Sequence, residues 1–418
     1  MPIPMTAKRS DDARGAIATW ALAAAQLVSW GSIYYAFSLF VVPMESALGW
    51  SRTATNAALS IGLLISGLAA YPIGTWIDRG HGRRVMVCGS ILAAAMLALW
   101  SQAHSLAMLF VVWAGLGVAM AATLYDPVFA VVTRDFPDGF RTRITLITLV
   151  AGFASTVFIP LTQGLIEWFG WRGALLVLAA FNLALCLPLH VFAIGRDAPR
   201  EDESNYKATQ KAVNAAATQR ALRTPTFWAL AVCFTAYYAT FAALTFHLVP
   251  LMTERRVSPT LIVTTMAVIG PAQVLARVLW FTIGRNVRPS IVGIVITTAF
   301  PASVIVLMCA GTTPALLILF AIVYGGANGM MTILRGTIVQ DVMWTEGYGA
   351  VSGLLSMPSN IAKGIAPISA AAIWTVGGNY LPVVWTVLLV SLVSAVAFIL
   401  ATRLASGEKL GERQVNFK

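Results

Sequence analysis

Long apolar stretches alternate with short polar connectors along the whole chain. A helix needs about 20 predominantly apolar residues to cross the hydrocarbon core of a bilayer. Six stretches meet that length in the first half: 17–43, 54–77, 84–103, 107–132, 144–167 and 173–194. Six more follow: 226–251, 260–283, 290–310, 314–340, 350–376 and 382–404. The pattern predicts an all-α membrane protein of twelve transmembrane helices. Between the two sets lies RDAPREDESNYKATQKAVNAAATQRALRTP, the longest polar stretch. The predicted organisation is an N-terminal six-helix bundle over 1–195, a linker over 196–225, and a C-terminal six-helix bundle with a polar tail over 226–418.

Composition supports a bilayer as solvent. Of the 418 residues, 58% are hydrophobic and 11% charged, and mean hydropathy is +0.78. Soluble domains carry about 25% charged residues. The net charge of +11 could suggest nucleic acid, but no basic helix or basic–aromatic interleave occurs. The basic residues sit instead in the connectors. They gather in the N-terminal tail, 78–84, 134–143, the linker, 285–288 and the C-terminal tail, whereas Arg52, Arg172, Arg255 and Arg256 mark the other side. Positive residues stay in the cytoplasm, so both termini are expected there, in a multi-pass protein of the cell inner membrane. The run from about Ala16 to Val42 is too long for a signal-peptide core and reads as a retained first span. Cys88, Cys186, Cys233 and Cys309 all lie in apolar runs without a CxxC pair, which excludes a metal knuckle or disulfide framework. HExxH, GxSxG and Walker patterns do not occur. No enzyme activity, cofactor or metal is expected.

The halves echo each other. VVPMESALGWSRT (Val41–Thr53) and LVPLMTERRVSPT (Leu248–Thr260) align Pro43 with Pro250, Ser51 with Ser258 and Thr53 with Thr260, always 207 residues apart. Helices 4 and 10 align Gly117 with Gly326, Thr123 with Thr332 and Asp126 with Arg335, 209 apart. A duplicated six-helix unit places a substrate site near the bilayer midplane between repeats.

Full charges away from the ends of the spans are Asp126, Arg277, Arg335 and Lys363. Each costs about 2.5–3.5 kcal/mol at a helix centre and therefore faces a cavity or a partner. Asp126 and Arg335 lie at equal depth on repeat-related helices, so a switchable ion pair is one reading and local satisfaction within each bundle is the other. Arg277 and Lys363 leave the intramembrane charge positive, which favours an anionic substrate. Arg277 could instead snorkel to the interface; Lys363, near mid-helix, cannot do so easily. Gln273, Asn360 and Tyr34 complete the candidate binding set. Gly115, Gly117, Gly325, Gly326 and Gly329 are expected to let helices pack closely. His247 reads as interfacial.

The connector GTWIDRGHGRR (Gly74–Arg84) resembles the cytoplasmic signature of the major facilitator superfamily, with one extra residue between Arg79 and Gly82. The resemblance implies the major facilitator fold of two pseudo-symmetric bundles. It further implies that Asp78 faces the start of helix 11 and that Arg79 and Arg83 reach Asp135; Gly74 and Gly82 belong to the same signature loop. Within the superfamily, ALGWSRT and DRGHGRRVM look like the monocarboxylate and oxalate–formate transporter group. That group carries an acid and an arginine four residues apart in helix 8; here Gln273 replaces the acid and Arg277 matches. Lys363 is similar to the substrate-binding lysine of oxalate exchangers, while helix 1 lacks the lysine of many proton-coupled carriers. The function implied is secondary active transport by alternating access of a small organic anion such as a carboxylate. An efflux antiporter for drugs or toxic anions is the alternative, although AGFASTVFIPLTQG keeps only Gly152, Pro160 and Gly164 of the antiporter signature. A membrane sensor comes third. The expected partners are an anionic small molecule, a coupling proton and the lipid bilayer, with no nucleic acid, and the chain is expected to act as a monomer.

Overall fold

The computed structural model describes residues 5–137, 139–195, 203–282 and 287–415, and among these there is no β-strand. The helices are α1 (Met5–Ser29), α2 (Phe37–Leu48), α3 (Arg52–Trp76), α4 (Gly82–Ser101), α5 (Leu106–Thr123), α6 (Tyr125–Asp135), α7 (Phe140–Ala151), α8 (Ala154–Phe181) and α9 (Leu187–Ala193). They continue as α10 (Glu203–Arg223), α11 (Pro225–Glu254), α12 (Pro259–Thr282), α13 (Pro289–Ala310), α14 (Pro314–Val342), α15 (Tyr348–Gly377) and α16 (Leu381–Val415). Trp30–Tyr35 and Asn182–Cys186 are π-helical, and Ile77–His81 forms a kinked turn around Gly80.

Among the described residues, nine helical runs are long and apolar enough to cross a membrane. Two of them, Ala54–Ser101 and Phe140–Ala193, hold 48 and 54 residues, about twice a single crossing. Each reverses at a glycine in the left-handed region, Gly80 at φ +94° and Gly170 at φ +68°, where a side chain would be strained. The helix α15 is not among the nine, because Ser352, Ser356, Ser359, Asn360 and Lys363 dilute its apolar character. With α15 and the two doubled runs, the helices supply the twelve crossings.

The chain divides into two compact units, Met1–Asn214 and Ala215–Lys418. In the first, α3 and α4 both pack on α5, and α1 packs on α7 and α9. In the second, α12 and α13 both pack on α14, and α11 packs on α15 and α16. The same helices of each half pair in the same way, which is the packing counterpart of the sequence repeat. Glycines make two of these approaches possible. A Cβ at Gly117 would collide with the Gly62 carbonyl oxygen. Cβ atoms at Gly325 and Gly329 would lie 2.6 and 2.5 Å from the carbonyl oxygens of Ile269 and Gln273. The first unit is filled by Phe37, Phe40, Trp100 and Trp113, with the two indoles edge-on at 5.3 Å. Large apolar side chains such as Val111, Val263, Val295 and Leu389 are exposed, an outward face suited to lipid.

Two features depart from the simple span pattern. The fourth span is interrupted: Leu124 is extended (φ −82°, ψ −156°), so α5 ends at Thr123 and α6 begins at Tyr125. The polar linker holds the 21-residue helix α10.

Candidate functional site

In the second unit, one face of α15 presents Ser356, Asn360 and Lys363, spaced i, i+4 and i+7. The Lys363 ammonium donates to Asn360 Oδ1 at 3.2 Å and stands 4.1 Å from the ring centroid of Tyr238 on α11. The Arg335 guanidinium of α14 lies 5.2 Å from the same centroid and donates to Ser356 Oγ. Arg335, Asn360, Tyr238 and Ser356 are all buried, and Lys363 is half-buried. Two cations thus share one aromatic ring, whose π cloud favours positive charge. The polar groups they meet include a hydroxyl, an amide and a phenol.

Arg277 makes a different set of contacts. Its Nε donates to the Gly329 carbonyl at 2.9 Å and its Nη2 to Thr332 Oγ1 at 3.3 Å. At 3% exposed it does not snorkel; it ties α12 to α14 one turn before Arg335. Half-buried Gln273 lies where the α12 backbone meets Gly329. The expected set is therefore divided: Lys363, Asn360 and Arg335 converge on Tyr238, while Arg277 and Gln273 meet the backbone of α14.

In the first unit, Asp126 occupies the first turn of α6, where the positive end of the helix dipole favours a carboxylate. Gln26 of α1, fully buried, donates to the Thr123 carbonyl at the break. Beside it the π-helical stretch carries Trp30 and Tyr34, with ring centroids 5.2 Å apart, and Trp30 sits 4.9 Å from Tyr125. Tyr34 is half-buried and 5.4 Å from Tyr35.

At the signature turn, Asp78 and Gly74 are buried and Arg79 and Arg83 half-buried. A Cβ at Gly82 would meet Val131 of α6 at 2.8 Å, so this glycine seats α4 against α6. Asp135 pairs with Arg134 at 2.9 Å, and Arg134 also donates to the Ile77 carbonyl at 2.6 Å. His247 is locked at a helix end, with Nδ1 3.0 Å from the Tyr380 hydroxyl and Nε2 2.9 Å from the Pro367 carbonyl. Sequence reasoning did not single out Gln26, Ser356 or Arg134. For Gln26 the signal was a lone amide in an apolar run; for Ser356 it was the helical spacing to Lys363.

The sequence profile of the Major Facilitator Superfamily matches residues 22–367. The chain belongs to this superfamily. Its members of known structure share the fold: the proton:xylose symporter XylE covers 94% of this chain and 96% of its own, at TM-score 0.71 and 9% identity. The human organic anion transporter MFSD10 covers 93% and 98%, at TM-score 0.67 and 15% identity. Among superfamily sequences, rat (Rattus norvegicus) monocarboxylate transporter 13 is 25% identical over 82% of this chain and 79% of its own. Monocarboxylate transporter 12 of Xenopus laevis is 32% identical over 36% of this chain, an alignment that spans 33% of the relative. The superfamily is one of transporters, not enzymes.

Proposed function

We propose that this protein is a secondary active transporter of a small organic anion, a carboxylate in the first instance, working by alternating access in the cell inner membrane with both termini cytoplasmic. The observation that carries this reading is the convergence of Arg335 and Lys363 on Tyr238, lined by Asn360 and Ser356. A carboxylate there gains charge-assisted hydrogen bonds from a guanidinium fork and an ammonium. Arg277 enters as the residue that fixes α14 and so aims Arg335. The resemblance to monocarboxylate transporters 12 and 13 supports the same substrate class. A coupling proton and a monomeric state belong to the proposal.

The test is uptake and efflux of labelled small carboxylates by the full chain in proteoliposomes, with and without a pH gradient. Saturable flux of an anionic compound, lost in Lys363→Gln, is expected. Flux confined to neutral or cationic compounds and indifferent to Lys363→Gln overturns the reading.

A further inference from the structure

Away from that site, a cavity of about 560 Å³ opens where α3 turns into α4. It is lined by Trp76, Arg79, His81, Arg84, Val85, Cys88 and Lys211. Three of these carry permanent positive charge, one is a histidine, and no carboxylate is among them. Lys211 comes from the linker helix α10, and its position is set by its neighbour one turn on. Asn214, 2% exposed, donates to the Thr75 carbonyl at 3.2 Å and accepts from Gln210 at 3.1 Å. That contact holds α10 beside the end of α3, so Lys211 completes the rim of the cavity. A second observation points to a missing acceptor. Arg79 Nε is buried and has no hydrogen-bond partner among the described residues, although buried donors are almost always satisfied.

The cavity is also two-faced. Its cations lie at the turn joining two membrane-crossing helices, the level of the membrane surface. Val85 and Cys88 extend one turn along α4 toward the apolar interior, and Trp76 is 55% exposed. Tryptophan is enriched at the membrane–water boundary, and basic clusters at that depth attract anionic headgroups. A free anion would use the rim alone. An amphiphile would use both the rim and the apolar wall.

We propose that this cavity binds a phosphate group, presented by an anionic phospholipid whose glycerol end lies against Val85 and Cys88. The phosphate oxygens accept charge-assisted hydrogen bonds from Arg79, Arg84 and Lys211. Because Lys211 and the arginines stand on different elements, the bound phosphate clamps the linker helix to the α3–α4 turn.

The experiment is native mass spectrometry of the delipidated full-length chain, titrated with dioleoyl phosphatidylglycerol or with phosphatidylcholine of the same acyl chains. Phosphatidylglycerol adducts should appear at several-fold lower concentration. The double variant Arg84→Gln with Lys211→Gln, both at exposed positions, should abolish that preference while keeping the wild-type melting temperature. Cys88→Trp, which fills the apolar wall and leaves every charge, should weaken phosphatidylglycerol binding too. Millimolar inorganic phosphate should fail to displace the lipid. Displacement by it, with Cys88→Trp silent, would overturn the lipid as source and assign the phosphate chemistry to a soluble anion. Equal retention of the two lipids, or a preference untouched by the double variant, overturns the site.

Discussion

At Lys363 the ammonium exchanges water for the face of Tyr238 and the amide oxygen of Asn360. A cation over an aromatic face is worth about 0.5–2 kcal/mol, more as it is desolvated. Lys363→Gln is expected to lower carboxylate uptake by about tenfold or more, a change of ~1.4 kcal/mol or above. Tyr238→Phe keeps the ring and should retain most uptake, whereas Tyr238→Leu should not; equal uptake in the two variants would remove the ring from the site. Arg277 makes a contrasting prediction. Its guanidinium spans the Gly329 carbonyl and Thr332, a geometry the point charge of lysine does not reproduce. Arg277→Lys should destabilise the protein by about 1.5–3 kcal/mol, the worth of hydrogen bonds to a charged group. The check is a melting curve in detergent beside the uptake KM, and an unchanged melting temperature with a raised KM would return Arg277 to the ligand. The sequence showed that Arg277 and Lys363 needed partners. It could not show that Arg277 would find one in a backbone carbonyl, since that competition is set by how closely two helices pack.

Helices were the most legible elements, because a bilayer leaves no other use for twenty apolar residues. The face Ser356–Asn360–Lys363 could be read from helical spacing alone. That Tyr238 faces it could not, since α11 is more than a hundred residues away along the chain. The interruption at Leu124 was missed, though its signal was present in Pro127: proline lacks the amide hydrogen and disfavours helical geometry just before it. Within the signature turn, Gly80 makes the reversal at φ +94°. At Gly329 the element itself sets a test. A Cβ there would stand 2.5 Å from a backbone oxygen of α12, and backbone cannot swing aside as a side chain can. Gly329→Val should therefore separate α12 from α14, with loss of expression or a melting temperature lowered by several degrees. Gly326→Ala, whose Cβ would meet Ala276 at an ordinary 3.7 Å, should be tolerated. Similar behaviour of the two variants would show that helix approach at Gly329 is not limiting.

Over the whole molecule, the repeat links Asp126 to Arg335 by position and sets their charges opposite. We predict that the two are energetically coupled during transport. Asp126→Asn and Arg335→Gln should each lower flux, and the double variant should lose less than the product of the two losses; losses that simply multiply would refute the coupling. The connection between the units carries a different consequence. Helix α10 is continuous from Glu203 to Arg223, its Asn214 bound to the Thr75 carbonyl and its Arg220 stacked 4.3 Å from the Trp344 ring centroid. A continuous helix has a phase. One residue inserted between Asn214 and Ala215 turns everything downstream by about 100°, whereas seven residues, about two turns, bring the face back almost to where it began. If α10 works as a rod, flux measured against insertion length should fall and then recover with the helical period. A flexible tether would give a smooth decline instead, and the shape of that curve distinguishes a shaft from a rope.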